Sequence, residues 1–384
     1  MAQTIKPDYT LFLATLCLVA TGVAMTISAS PVMAEQRYGT PFYFILRQVG
    51  WAVGSVGIMY FLKKKDYREL NNTPLVFTAM AAVLVLLLAV YFLDPRFHRW
   101  MRFGLVSIQP SEFAKPALIV FLAHLAARRA SVINNRHTLL CAAAIVGLVA
   151  GAVIVADLGT AVVISLTAAV MFLVAGIEWR FLAIAALVMT VVVSVAIFLK
   201  PYRLARVFSL VDPEYKILDC RPVRAIDPEG KLKAWCLRAA PTRDSNYHVK
   251  QSLIAVGAGG TLGVGYLNSR QKLFYLPEAH TDFVYAVLAE EFGLWGSTLV
   301  LIAFLAIGWR GFRIHSRAPD DFGRLVALGV TTAVLVQAFL NMSVVLGMIP
   351  PKGIPLPMLS YGGSSLASTL ISLGILQSVG EHTG

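Results

Sequence analysis

Ten separate runs of apolar residues, each near the length a helix needs to cross a bilayer, constrain this 384-residue chain more than any other feature. They cover residues 9 to 30, 44 to 62, 74 to 93, 112 to 127, 139 to 155, 161 to 177, 181 to 199, 283 to 308, 325 to 347 and 362 to 379. At about 1.5 Å of rise per residue, some twenty helical residues match the hydrocarbon thickness. In lipid every backbone N–H and C=O must be satisfied within the fold, which favours helices for such runs. With 57% hydrophobic and 14% charged residues the chain is too apolar for a soluble domain of this size. The expected fold is therefore all-α: a polytopic membrane protein of ten transmembrane helices in one membrane domain over 1–384. The first run follows a short polar start carrying only Lys6, and no small-residue cleavage site leads into a soluble domain. It is expected to be a retained span, not a removed signal peptide.

A net charge of +12 raises the question of nucleic acid, but the basic residues are dispersed among short connections and form no aromatic-interleaved basic domain. Their placement bears on topology instead. With the N-terminus inside, Lys6, Lys63, Lys64, Lys65, Arg68, Arg128, Arg129, Arg136, Arg180, Arg310, Arg313, Arg317 and Arg324 fall on inner loops. Only Arg37, Arg96, Arg99, Arg102 and Lys352 fall on short outer ones. The excess of inner charge puts both termini in the cytoplasm. One long loop, 200–282, between spans 7 and 8, is then extracytoplasmic, and a loop of that length is expected to be functional. Its stretch 213–244 is a polar insertion. Arg203, Arg206, Lys250, Arg270 and Lys272 in this loop either meet an anionic ligand at the membrane surface or are solvated charges. Cys17 and Cys141 lie within spans and read as packing residues. Cys220 and Cys236 lie in the external loop, where an oxidising compartment would let them form a disulfide. Gly257, Gly259, Gly260, Gly263 and Gly265 lack a following Gly-Lys-Ser/Thr and a GxGxxG spacing, so a tight turn packed against spans is favoured over a phosphate cradle.

Four clusters carry ionisable groups at the ends of apolar runs. In Leu276-Pro277-Glu278-Ala279-His280-Thr281-Asp282-Phe283, Asp282 precedes a span and is the strongest candidate for a base; the alternative is a helix cap. Glu290 and Glu291 lie further along that run, and at least one is expected to face the bundle interior and pair with a cation. Arg99-Trp100 is followed by Gln109-Pro110-Ser111-Glu112-Phe113-Ala114-Lys115, where Glu112 and Lys115 at i, i+3 share one helix face and Ser111 is placed to cap. That pair is read either as a functional site or as a clamp between helices. Asp157, in Ala156-Asp157-Leu158-Gly159-Thr160, either caps the next helix or contacts a ligand or partner. Gly347 to Ser365 holds prolines that prevent regular helix, then Gly362-Gly363-Ser364-Ser365, a helix start able to attract an anion.

The stretches LPEAHTDFVYAVLAEEFG (276–293), QPSEFAK (109–115) and PKGIPLPMLSYGGSS (351–365) closely resemble the SEDS family (shape, elongation, division and sporulation), which includes FtsW and RodA, and the resemblance runs over nearly the whole chain. Lys352 in Pro-x-Lys-Gly places it nearer the FtsW branch. The resemblance implies a ten-span peptidoglycan glycosyltransferase that polymerises lipid II at the outer face of the cytoplasmic membrane during division. It implies that Asp282 is the general base, activating a sugar hydroxyl that displaces undecaprenyl pyrophosphate with inversion. Cations aimed at the leaving group lower such a barrier; Lys115, Arg206 and Lys352 are the candidates, and a divalent cation, Mg or Mn, bridging the pyrophosphate is a further expectation. Glu112, Lys115, Trp100, His280, Ser364 and Ser365 are expected at the substrate. Asp157 and Glu290 are expected in structural or partner roles. A class B penicillin-binding protein transpeptidase and other divisome membrane proteins are the implied partners. Two departures stand out: Ala156 occupies the place where the family usually has proline, and the 213–244 insertion is longer than the family's. A lipid II flippase would also use buried ionisable residues, and a non-catalytic divisome scaffold would do neither; the carboxylate-rich motif at one face, without repeated halves, favours the enzyme.

Overall fold

The structure, a computed structural model, describes residues 8–94, 98–103, 106–198, 203, 244–273, 275, 276, 278–350 and 353–382. Arg206, Lys352, Cys220 and Cys236 lie outside the described residues, as does the 213–244 insertion apart from Asp244. Twelve α-helices are formed among the described residues: α1 (Tyr9–Ala29), α2 (Pro31–Tyr38), α3 (Tyr43–Lys64), α4 (Thr73–Leu93), α5 (Pro110–Arg128), α6 (Arg136–Ala156), α7 (Leu158–Val174), α8 (Trp179–Phe198), α9 (Asp244–Gly259), α10 (Val284–Arg317), α11 (Asp321–Val345) and α12 (Gly363–Glu381). Among the described residues the two strands form a short antiparallel hairpin, Met101–Phe103 against Val106–Ile108.

Seven helices, α1, α3, α4, α6, α8, α10 and α11, are long and apolar enough by themselves to cross a membrane. The other three expected spans fall on α5, α7 and α12, and each has a reason to miss that measure. α7 has only 17 residues. α5 carries Glu112, Lys115 and His124, and α12 carries Ser364, Ser365, Ser368, Thr369, Ser372, Gln377 and Ser378, all buried. These residues are packed inside the bundle and not against lipid, and several of them bond to neighbouring elements, as Lys115 does to Gln337 and Ser364 to Ser107. The chain is a polytopic helical membrane protein.

α11 is the centre of the bundle, packed on α5, α7, α10 and α12. α1 lies against α10, α3 against α12, and α4 against α5. α8 has no buried residue and packs on α7 at the edge. At one end of the bundle ion pairs tie helix termini together: Arg310 to Asp8 at 2.7 Å and Lys63 to Glu381 at 3.2 Å. There Tyr67 also donates to Asp320, which caps α11 through the amide of Gly323 at 3.0 Å. The Asp282 turn is at the opposite end. Part of the long loop 200–282 is not loop: residues 244–259 form α9, which packs on α10 and α11 and donates Ser252 Oγ to the Val345 carbonyl at 2.6 Å. Of the five glycines expected in a tight turn, Gly260, Gly263 and Gly265 form one against α10, whereas Gly257 and Gly259 belong to the last turn of α9.

Candidate active site

Asp282 sits on a turn, residues 278–283, that ends where α10 begins. Glu278 adopts φ 53, and its carbonyl accepts from Thr281 N at 3.1 Å and Phe283 N at 3.4 Å. A second irregular segment, residues 353–361, is laid against this turn and held by side chains of α11. Asn341 Nδ2 donates to the Asp282 carbonyl at 2.8 Å and to the Ile354 carbonyl at 2.7 Å. One turn along, Gln337 Nε2 donates to the Pro355 carbonyl at 2.9 Å. Ser360 Oγ donates to the Thr281 carbonyl and accepts from Leu356 N at 2.7 Å, while Tyr361 N donates to the His280 carbonyl at 2.9 Å. Proline removes donors and helical φ/ψ from this segment, so its carbonyls are free to take the two amide side chains.

The segment's first described residue, Gly353, lies between opposite charges. A Cβ at that position would be 3.0 Å from Asp282 Oδ2 and 3.8 Å from Arg99 Nη1. Arg99 Nη2 donates to the Gly353 carbonyl at 3.3 Å and pairs with Asp157 Oδ2 at 3.0 Å. Of the two readings of Asp157 the cap is the one seen: its carboxylate also accepts from Thr160 N at 3.1 Å and Thr160 Oγ1 at 2.9 Å at the start of α7. Asp94 Oδ2, at the end of α4, takes the amides of Arg99 and Trp100 at 3.2 and 3.3 Å. The Trp100 ring lies 5.9 Å from the Arg99 guanidinium carbon. Arg99 is the residue that sequence reasoning undervalued. It stood in a marked cluster beside Trp100, but nothing local linked it to Asp157 or Asp282.

Glu112 and Lys115 form the predicted pair, at 2.8 Å, and Lys115 Nζ also donates to Gln337 Oε1 at 2.6 Å. Through Gln337 the pair is connected to the Pro355 carbonyl and so to the segment that flanks Asp282. Ser111 is not the cap: α5 starts earlier, with Gln109 at the cap position and Pro110 in the first turn, whose fixed φ suits that place. Ser111 Oγ accepts from Gln109 Nε2 at 2.9 Å instead.

The Gly-Gly-Ser-Ser start of α12 is packed and not open to a ligand as expected. A Cβ at Gly363 would fall 2.2 Å from Trp51 Nε1, and Ser364 Oγ accepts from Gln109 N at 3.0 Å and donates to the Ser107 carbonyl at 3.3 Å. Ser365 is buried and its hydroxyl has no hydrogen-bond partner. His280, also expected at the substrate, is packed into the wall, its ring 4.8 Å from Phe44 and 5.7 Å from Tyr361. Burial lowers its pKa and keeps the ring neutral. Glu290 and Glu291 lie further along α10 and bind the segment 264–272, Glu291 pairing with Lys272 at 2.9 Å as the interior position predicts. Among the described residues no group of three or more His, Cys, Asp or Glu is placed to hold a metal ion.

A carboxylate at a helix start, a guanidinium beside it and a buried ion pair behind, all gathered near one end of a helical bundle, define a polytopic membrane protein with a polar site at one membrane face. The chain belongs to the FtsW/RodA/SpoVE family of cell cycle proteins, which it matches over residues 9–384. It is 36% identical to stage V sporulation protein E of Bacillus subtilis over 98% of both chains. It is 33% identical to the probable peptidoglycan glycosyltransferase FtsW of Geobacter sulfurreducens, over 97% of this chain and 94% of that one. A chain solved in work on the structural coordination of polymerization and crosslinking by a peptidoglycan synthase complex has 27% identity and a TM-score of 0.74, covering 98% of both. The rod shape determining protein RodA of Thermus thermophilus shares the fold at 24% identity and a TM-score of 0.62, covering 98% of this chain and 97% of that one.

Proposed function

We propose that the protein is a peptidoglycan glycosyltransferase that polymerises lipid II at the outer face of the cytoplasmic membrane during division, with both termini in the cytoplasm. The observation that carries this reading is the Asp282 carboxylate across Gly353 from the Arg99 guanidinium, at the end of the bundle away from the Arg310 and Lys63 ion pairs. The excess of positive charge on the loops at that other end supports its assignment to the cytoplasm.

In the proposed reaction Asp282 accepts the proton of the acceptor sugar hydroxyl as its oxygen attacks the anomeric carbon of the donor. The bond from that carbon to the undecaprenyl pyrophosphate oxygen breaks, with inversion. Negative charge grows on the leaving group, so fixed cations near it lower the barrier. Arg99 joins Lys115, Arg206 and Lys352 as a candidate for that work. Its guanidinium is already oriented by Asp157 and the Gly353 carbonyl, so little reorganisation is needed when the anion arrives. Asp157 and Asp282 are two carboxylates near one place, fewer than a protein-built cage requires. They would help hold a divalent ion, Mg or Mn, that arrives on the substrate's own phosphates. A class B penicillin-binding protein transpeptidase is the proposed partner, with other divisome membrane proteins around the pair.

Purified protein given lipid II tests the reading. Asp282→Asn keeps the shape of the side chain and removes the base, so polymer formation is expected to fall to background while the protein elutes as wild type does in size-exclusion chromatography. Full activity in that variant refutes the assignment. A flippase reading predicts that vesicle-reconstituted protein moves labelled lipid II across the bilayer without lengthening it.

A further inference from the structure

Helix α10 does not run unbroken. Gly293 has φ 62 and ψ −157, and around it the helical ladder is exchanged for bonds to the glycine turn after α9. Val264 N and Gly265 N donate to the carbonyls of Glu290 and Glu291 at 3.0 Å each. In return Leu294 N and Trp295 N donate to the carbonyls of Gly260 at 3.0 Å and Thr261 at 3.4 Å. A Cβ at Gly259 would lie 2.0 Å from the Ala289 carbonyl oxygen, and one at Gly263 2.2 Å from that of Glu291, so the turn enters the break because it lacks side chains. The turn thus answers backbone groups that the break frees, as backbone inside a membrane requires.

Two spans measure how deep the turn lies. Arg310, paired with Asp8, stands at the end of the bundle away from Asp282, and Gly293 is seventeen residues from it along α10, about 26 Å of helix. A hydrocarbon core is about 30 Å thick, and any tilt of the helix lowers the height reached. α1 agrees independently. The Tyr266 hydroxyl donates to the Ala24 carbonyl at 2.9 Å, and Ala24 is six residues, about 9 Å, short of the cap of α1 at Ser30. α9 leads from the Asp282 turn to this level: the His248 ring is 6.0 Å from that of Phe283, and at the other end of the helix Gly259 meets Ala289.

The side chains fit the same depth. From Gln251 to Ser269 the chain has no Asp, Glu, Lys or Arg. Leu262 is 79% exposed and Leu267 51%, the latter at φ 67, a backbone conformation that leucine rarely takes. Trp295, just past the break, is 65% exposed, and these side chains continue the exposed apolar face of α10 at Leu299 and Ile302. The Asn268 amide is turned onto the turn's own backbone, donating to the Val264 carbonyl at 3.3 Å. An apolar tip of this kind is disfavoured in water and at home against acyl chains. We propose that α9 and the turn 260–267 form a re-entrant hairpin whose tip is seated among the acyl chains of the leaflet at the Asp282 end. The long loop 200–282 then enters the hydrocarbon and leaves it without crossing. This holds whether or not the protein is a glycosyltransferase.

The experiment uses the purified full-length chain with its four cysteines replaced by alanine, in phosphatidylcholine nanodiscs with no partner protein. One nitroxide spin label at a time is attached through Leu262→Cys, Leu267→Cys, Leu299→Cys or Glu35→Cys, and its collisions with oxygen, enriched in hydrocarbon, are compared with those with a water-soluble nickel chelate. The labels of Leu262→Cys and Leu267→Cys are expected to match that of Leu299→Cys within the span of α10, oxygen-rich and closed to nickel, and not that of Glu35→Cys. A second measurement needs no label. Because the Leu262 side chain is mostly exposed, Leu262→Asp would change little in water, whereas a charge in hydrocarbon is expected to lower the thermal midpoint in nanodiscs by about 2 °C or more, with Leu262→Phe unchanged. Nickel access at Leu262→Cys and Leu267→Cys equal to that at Glu35→Cys overturns the proposal and leaves the apolar tip as a surface for a partner protein. If the cysteine-free chain does not fold, Leu262→Asp and Leu262→Phe in the chain with its own cysteines decide, and equal midpoints overturn the proposal. Neither measurement uses lipid II, so a protein that makes no polymer refutes the functional reading and leaves this one standing.

Discussion

A single methyl group at position 353 would stand between the two charges that define the site. Gly353→Ala brings a carbon to 3.0 Å from Asp282 Oδ2 and 3.8 Å from Arg99 Nη1. We expect kcat for lipid II polymerisation to drop by about tenfold to a hundredfold, the scale of a sub-ångström to 1 Å displacement, with thermal stability unchanged. His280 gives a pH signature. Its pKa is lowered in the fold by burial, so the unfolded chain binds more protons once pH drops toward the ordinary histidine value. Its contribution to stability is complete above about pH 6.5 and is lost as pH falls through the lower folded value. The thermal unfolding midpoint should therefore fall between about pH 7 and pH 5, and His280→Phe, which keeps a ring against Phe44 and Tyr361, should flatten that part of the profile. Asp282 and the Glu112–Lys115 pair were legible in the sequence because motif and helical spacing carry them. The link from Arg99 to Asp157 was not, since it joins the end of one connection to the start of a distant helix and leaves no local pattern.

At the scale of the element, α5 shows how a membrane helix tolerates charge. Glu112 and Lys115 have side chains only 1% and 8% exposed, and Gln337 supplies the remaining acceptor. Removing one partner leaves the other charge buried and unpaired, so Lys115→Met is expected to cost about 3–5 kcal/mol, measured as the shift in thermal or denaturant unfolding. The double variant Glu112→Gln, Lys115→Met should recover much of that loss, because no bare charge remains. The Glu112–Lys115 interaction was readable as i, i+3 spacing, and the glycines at 260, 263 and 265 were readable as a tight turn, though Gly257 and Gly259 end a helix instead. The insertion of that turn into α10 was not. Gly293 sits in an apolar run that reads as one continuous helix, and the residues that break it come from a segment whose own pattern says only that it bends.

For the whole molecule, the bundle and its polytopic nature followed from the apolar runs, while their number was less secure at α5, α7 and α12, where burial among neighbours replaces exposure to lipid. The proposed orientation has a direct test in intact cells. A thiol introduced by Glu35→Cys, at the exposed end of α2, should react with a membrane-impermeant maleimide, and one introduced by Ser316→Cys, near the end of α10, should react only after lysis. The reverse pattern would invert the topology. Gln337 and Asn341 carry a consequence for how the chain is made. Both amides sit on α11, yet the carbonyls of Pro355 and Ile354 that receive them are synthesised afterwards. During biogenesis the Lys115 ammonium and the Asp282 carbonyl are already there to meet these amides, and the ribosome has still to deliver the two carbonyls that complete them, so α11 is fully satisfied only after the following segment has folded back on it.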